Sequence, residues 1–458
     1  MTNTSGAVGR FFASPGFKFF LICGLVVLLL IPLFLVWALI EDRQHRADSV
    51  RREVAQEWGA SQFINGPVLI VPYTVLHISG QGKDRVEQLV EQRATFLAQT
   101  LNIKGKATTK VLHRSIYDVA VYTGNLEFSG SFDTPDIGEV ASDVQSVRWE
   151  DAVLALAISD VSGLKKTASL RVDGSSQLPF EPSLGVPSNR IDGIHVRLRP
   201  AAEIFDAAGT QLGRLKPFSF DFALTLNGSS TLSFAPVARE TNVEITSDWP
   251  DPGFTGAFLP NDRDIDATSF SARWQIPHLA RSIPQAWLYS DNELDRMRTY
   301  QFGVNFIAPV DFYQVVSRAA KYAMMFLATA FMAVFVMEIR SQRKVHAVQY
   351  LLVGIAMAFF YVLLLSFAEQ IGFLLAYLIA ATATTLLISA YVGSVQASML
   401  KGLAMLVILS LLYGLLYMIL QLEDYALLAG AVAGFCMLAV VMFSTLKVDW
   451  SGERQGAG

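Results

Sequence analysis

From about Ala319 to Leu446 the chain is almost continuous hydrocarbon broken by short polar punctuation, and this run decides the solvent in which that third of the molecule folds. A stretch such as Ile371 to Val392 carries no charge, and it is long enough to cross a bilayer core at roughly 20 residues per helical span. The expectation is a membrane protein. Only 17% of residues are charged, against roughly 25% in soluble domains, and the mean hydropathy is +0.38. A net charge of -4 gives no basic field, so nucleic acid is not expected as a partner. Cys23 and Cys436 both fall inside apolar runs, where they build neither a disulfide framework nor a thiolate zinc site.

The first apolar run, Phe19 to Ile40, follows Arg10 and Lys18. It exceeds the roughly 7 to 15 residues of a signal-peptide core, and no A-x-A-like cleavage site follows, so it reads as an anchor. Five more spans are expected at Ala319 to Met337, Ala347 to Phe367, Ile371 to Val392, Gly402 to Leu422 and Ala426 to Leu446. Glu369, Glu423 and Asp424 occupy one set of connections, and Arg340, Arg343, Lys344, Lys401 and Lys447 the other. The positive-inside rule then puts both termini in the cytoplasm and the middle region outside. Arg43, Arg46, Arg51, Arg52, Arg318 and Lys321 oppose this, but long translocated regions are less sensitive to flanking charge. The expected layout is a cytoplasmic tail at 1–18, an anchor at 19–40, a periplasmic domain at 41–318, a five-helix bundle at 319–446 and a second cytoplasmic tail at 447–458.

Between Glu41 and Arg318 the composition is that of a water-soluble domain of roughly 280 residues. Val50, Val54 and Trp58 recur every four residues among charges, predicting an amphipathic helix that continues the first span and ends near Gly59. The period then changes to two, as in Phe270, Ala272, Trp274 and Ile276, or Leu126, Phe128 and Phe132, which predicts half-buried strands. Asn227-Gly228, between Phe218–Leu226 and Ser229–Phe234, predicts a hairpin with a tight primed turn. The fold class expected is an α-helical transmembrane bundle of six spans carrying a large β-rich, sandwich-like periplasmic domain.

Chemical motifs are sparse. There is no G-x-S-x-G elbow, and Ser229-Ser230 is assigned to the hairpin. His45, His77, His113, His195, His278 and His346 stand singly, without H-E-x-x-H spacing. Asp262, Asp264 and Asp266 resemble the start of a calcium loop, but Ala267 stands where Gly is needed and Arg273 where the bidentate Glu belongs. Gly80-Gln81-Gly82-Lys83 lacks phosphate-loop spacing. No catalytic residue, cofactor or metal site is expected. The centres of the last four spans hold no ionisable group, which argues against ion-coupled transport. Glu369, Glu423 and Asp424 are expected at span ends, solvated by water. Gly430 and Gly434 form a GxxxG face, and Ala376, Ala380 and Ala383 offer similar close helix packing.

Several strings carry a resemblance. They are Gly66-Pro67-Val68-Leu69-Ile70-Val71-Pro72, Leu212-Gly213-Arg214 with Pro217-Phe218-Ser219-Phe220, and Trp249-Pro250 with Gly256-Ala257-Phe258-Leu259-Pro260. Val348-Gln349-Tyr350-Leu351-Leu352-Val353-Gly354 and Asp424-Tyr425-Ala426-Leu427-Leu428-Ala429-Gly430 complete the set. In this order the chain resembles the CreD family of bacterial inner-membrane, cell envelope integrity proteins. It departs at Ala347, where Pro often follows the His, at Gln370, where His often follows the Glu, and at Leu446, where Arg is common. The likeness marks Gly66, Pro67, Gln349, Tyr350, Glu369, Asp424 and Tyr425 as motif positions without an assigned role. It implies an inner-membrane location, two-component control and a part in envelope integrity or stress tolerance, but no reaction. The expected partners are the lipid bilayer and a periplasmic protein, lipid or cell-wall component. A transporter or lipid-handling protein is the alternative function, and a membrane-bound hydrolase the third.

Overall fold

The computed structural model describes residues 15–79, 86–115, 117–188, 190–208, 211–306, 312–341, 344–422 and 425–446. Gly80 to Lys83, Arg343, Glu423, Asp424 and Lys447 lie outside the described residues. The chain divides into two compact units, Met1–Asp48 with Val310–Gly458, and Ser49–Pro309. The helices are α1 (Pro15–Trp58), a short α2 (Asp291–Arg296), α3 (Phe312–Ile339), α4 (Ala347–Ile371), α5 (Phe373–Val395), α6 (Met399–Gln421) and α7 (Ala426–Thr445). Among the described residues, six of these, all but α2, are long and apolar enough to cross a membrane. One boundary differs from expectation. Ile371 closes α4 rather than opening the next span, because Gly372 at φ 78° breaks the helix in a conformation that favours glycine.

In the helical unit α1 buries Ile22, Val26, Leu29, Val36 and Ile40, a stripe at helical spacing. The rest of its apolar surface, including Phe20, Val27, Ile31 and Leu35, is exposed, as suits a lipid-facing side. Gly354 of α4 admits this stripe: a Cβ there would lie 2.2 Å from Leu29 Cδ1 and 2.9 Å from the Phe331 ring of α3.

The second unit is β-rich. Its longest strands are β1 (Gln62–Ser79), β2 (Val86–Arg114) and β3 (Tyr117–Phe132). The first part of β2 pairs with β1, from Ser79↔Val86 to Val68↔Leu97. Its second part pairs antiparallel with β3 and parallel with Ala238–Ser247. The two parts of one strand thus pair with different neighbours, and β2 joins them. The expected alternation holds where the sheet covers a core: Phe270, Ala272, Trp274 and Ile276 are buried while Arg273 and Gln275 are exposed. Tyr73, Tyr122, Phe128, Phe234 and Trp274 are the bulk of that core, and Phe128 stacks on Phe222 with centroids 4.6 Å apart.

The Asn227-Gly228 hairpin is not formed. Both residues lie within the strand Phe218–Ser229, paired with Thr123 and Tyr122 of β3. The chain turns at Ser230 (φ 59°), and Thr231–Phe234 then runs parallel to β1. Tertiary packing explains the dipeptide. A Cβ on Gly228 would come within 2.3 Å of the Tyr122 hydroxyl, and buried Asn227 accepts a 2.9 Å hydrogen bond from Thr123. Ser229 is buried in the same strand, so the Ser229-Ser230 pair belongs to this strand end rather than to a hairpin.

Helix α1 ends at Trp58, one residue before the expected stop. Val54 packs with Val119 and Val121 of β3, and Trp58 donates from Nε1 to the Tyr122 carbonyl at 3.2 Å. Replacing Val54 and Trp58 together with Asp puts a carboxylate into that apolar patch at position 54 and removes the half-buried indole and its hydrogen bond at position 58. The expected outcome is faster proteolysis around Gly59; cleavage at the parental rate would show that this contact does not hold the helix end.

Candidate functional site

The Gly66-Pro67 motif sits where β1 loses register with its neighbour. Asn65 pairs with Ala157, but the next pairing is Val68 with Ala155, so β1 advances three residues while Val153–Ile158 advances two. Gly66 takes φ +140°, and a Cβ there would lie 2.9 Å from the Ala155 carbonyl oxygen and 2.9 Å from Leu156 Cδ1. Pro67 has no N–H to give to the ladder, which suits a bulge. The bulge sits next to Asn65, which is only 3% exposed. Its Nδ2 donates to the Leu294 carbonyl at 2.9 Å, which leaves buried Oδ1 without a partner among the described residues.

Asn65 lines a small cavity of about 60 Å³ together with Phe63, Ser159, Asp192, Arg190, Asp295 and Arg298. Arg298 donates from Nε to Asp295 at 2.8 Å, and its guanidinium carbon lies 4.8 Å from the Phe63 ring centroid. Arg190 donates to Asn292 at 3.4 Å. The wall that carries Leu294 and Asp295 is α2, capped by Ser290, whose hydroxyl accepts from the Glu293 N–H at 3.2 Å. Asp291 fixes the same turn by accepting from the Tyr289 hydroxyl at 3.0 Å and from Ser188 at 3.1 Å. Burial, and then the Asp291 carboxylate, pushes the Tyr289 hydroxyl above the ordinary phenol range, so Tyr289 remains a donor. The cavity therefore sets two guanidinium groups beside two carboxylates, Arg298 already paired with Asp295, and offers one buried amide oxygen for an N–H donor.

The other motif positions lie in the helical unit. Gln349 accepts from the His346 N–H at 2.8 Å while His346 Nδ1 accepts from the Val348 N–H at 3.3 Å, a capping box that starts α4. Tyr350 donates to Glu338 Oε2 at 2.9 Å, and the Val345 N–H donates to Glu338 Oε1 at 2.9 Å. Lys18 of α1 pairs with the same carboxylate, which is 6% exposed. At the opposite end of α4, Glu369 accepts from Tyr313 at 3.1 Å and lies 4.0 Å from Arg43. Glu369 is thus not a solvated loop carboxylate but a largely covered partner, its side chain 10% exposed. Asp424 lies outside the described residues, and Tyr425 is exposed at the start of α7. A Cβ on Gly430 would meet the Tyr322 ring at 2.6 Å, and one on Gly434 would meet Met325 Sδ at 3.2 Å, so both glycines face α3.

The two carboxylate clusters are spaced alike on two helices. Lys18 and Arg43 of α1 are 25 residues apart, as are Tyr313 and Glu338 of α3. At 1.5 Å per residue that is roughly 38 Å, close to the ~40–45 Å of a bilayer with its interfaces. Sequence reading passed over Glu338 and Asn65. Each had a signal: Glu338 is a single acid at the end of an apolar span, and Asn65 a single amide in an apolar strand.

The exposed strand Asp262–Ile265 carries Asp262 and Asp264, and the Asp266 N–H donates to the Ser269 carbonyl at 2.8 Å. Among the described residues no three His, Cys, Asp or Glu side chains gather as a metal site. In comparisons with known proteins, the family model described as Inner membrane protein CreD matches residues 14–451. The Inner membrane protein CreD of Escherichia coli (strain K12) is 29% identical over 427 residues, which covers 93% of this chain and 92% of that protein.

Proposed function

Since the chain belongs to the CreD family of inner membrane proteins, we propose that it acts by binding rather than by catalysis, as an envelope integrity factor presenting its β-rich unit to the periplasm. It is a multi-pass membrane protein of the cell envelope. In this reading both termini are cytoplasmic and synthesis answers to a two-component system, as the family likeness implies. The observation that carries the binding role is the polar cavity beside Asn65. A buried amide oxygen without a donor costs about 1–3 kcal/mol unless something supplies the missing hydrogen bond. Arg190, bonded to the neutral Asn292, and Arg298, whose pairing with Asp295 is exposed, can both turn to an anion there. An N–H next to a carboxylate is the chemistry of a peptide's carboxyl end, found in cell-wall peptides and protein termini alike.

The test is photocrosslinking in cells from a benzophenone amino acid at Asp192, an exposed residue on the cavity rim. A captured peptide or glycopeptide adduct is expected, and Arg298→Ala or Asn65→Leu should each diminish it about tenfold, the loss of one charge-assisted or buried hydrogen bond. An adduct of equal yield in both variants would reject the cavity as the binding site. Labelling of Asp192→Cys only after the inner membrane is breached would reject the periplasmic placement.

A further inference from the structure

We propose that the helical unit holds a phospholipid with an anionic headgroup in an apolar groove between α3, α6 and α7, headgroup at Arg340. The groove encloses about 1020 Å³, and Val336, Ile408, Leu415, Val432 and Ala433 are representative of its walls. Arg340 is the one charged side chain among its lining residues; it is exposed and makes no ion pair among the described residues.

The groove runs along α6 and α7 from Ala404 and Ser444 to Leu422 and Tyr425, whereas α3 walls only the half nearer Arg340. On the far side from Arg340, Gly430 and Gly434 bring α7 against Tyr322 and Met325 of α3, which closes that seam. From Thr329 to Arg340 the wall of α3 is open to the groove. Those 12 residues span roughly 16 Å, about half of a ~30 Å hydrocarbon core. The groove therefore has three walls only through the half nearer Arg340, about the depth of one acyl tail, and is lined by α6 and α7 alone beyond it. A guanidinium at the interface end can donate two hydrogen bonds to a phosphate, and its positive charge selects a net negative headgroup over a zwitterionic one. A second protein copy would fill the walls but would leave Arg340 without a stated counter-charge.

The experiment uses the full chain in nanodiscs of equal phosphatidylglycerol and phosphatidylethanolamine, released into mild detergent for native mass spectrometry. One retained phospholipid per chain is expected, enriched in phosphatidylglycerol. Arg340→Gln should reduce that enrichment about fivefold, as expected for one interfacial cation. Ala404→Trp fills the groove from an exposed position on α6 and should abolish retention of either lipid. Val432→Trp enters from α7 with the same expectation and guards against a folding failure of the first variant. Equal retention of both lipids by parent and Arg340→Gln overturns the headgroup assignment. A dimer that Ala404→Trp converts to monomer, with lipid retention unchanged, overturns the proposal in favour of a second copy.

Discussion

Glu338→Ala is expected to be the most destabilising single substitution in the helical unit, lowering stability by about 3 kcal/mol, the lower end for breaking a buried ion pair because Lys18 is 29% exposed. Its carboxylate serves three partners at once: Lys18 from α1, the Tyr350 hydroxyl from α4 and the Val345 N–H that leads into α4. Alanine leaves a cationic amine, a phenol and an amide N–H around an apolar methyl. Glu338→Gln retains an acceptor for Tyr350 or Val345 but abandons Lys18, so it should fall between alanine and the parent. Tyr350→Phe removes only one donor to a charged group, about 1.5–3 kcal/mol. Thermal unfolding of the full chain in nanodiscs measures the order. If Glu338→Ala and Tyr350→Phe melt alike, the ion pair contributes nothing beyond the hydroxyl, and α1 is held by its buried stripe and by Arg43 at Glu369 instead.

Periodicity along the chain was enough to see six apolar helices and a strand-rich unit, because burial in lipid or in a two-faced sheet repeats with the backbone's own period. The stripe Phe270, Ala272, Trp274 and Ile276 is readable for this reason, as is the stop of α1 beside Gly59. What periodicity does not carry is partnership across long separations. Lys18 and Glu338 are 320 residues apart, and nothing local distinguishes Glu338 from an acid at a solvated helix end. The same applies to Glu369, expected in water but bonded to Tyr313. Asn227-Gly228 misled for the opposite reason. Its local turn preference is real, but Tyr122 requires a glycine opposite it and Thr123 requires an amide, and those tertiary demands hold the dipeptide in a strand. The polar cavity was half legible: the family-like Gly66-Pro67 pointed to the right turn of chain, while Arg298 and Asp192 reach it only through the fold.

Gly66→Val should then be the most informative change in the β-rich unit, because it tests whether the bulge exists to hold Asn65. A β-branched residue at φ +140° pays about 1–3 kcal/mol in backbone strain alone. Its Cβ also meets the Ala155 carbonyl oxygen and Leu156 at 2.9 Å, both in a strand that is buried along its length and cannot retreat, which adds about 1–3 kcal/mol of overpacking. Gly66→Ala meets the same strain with less bulk and should be milder. Relief of the strain by closing the bulge shifts β1 by one residue, and a shift of one turns every side chain to the opposite face. Asn65 would then leave the cavity, so crosslinking from Asp192 should fall with stability in the valine variant. Asn65→Leu, which keeps the bulge but loses the bond to the Leu294 carbonyl, should diminish the crosslink about tenfold at a stability cost of about 1–3 kcal/mol, less than that of the valine. Should Gly66→Val fold as stably as the parent and still capture the same adduct, the glycine is dispensable to the bulge and the cavity does not depend on it.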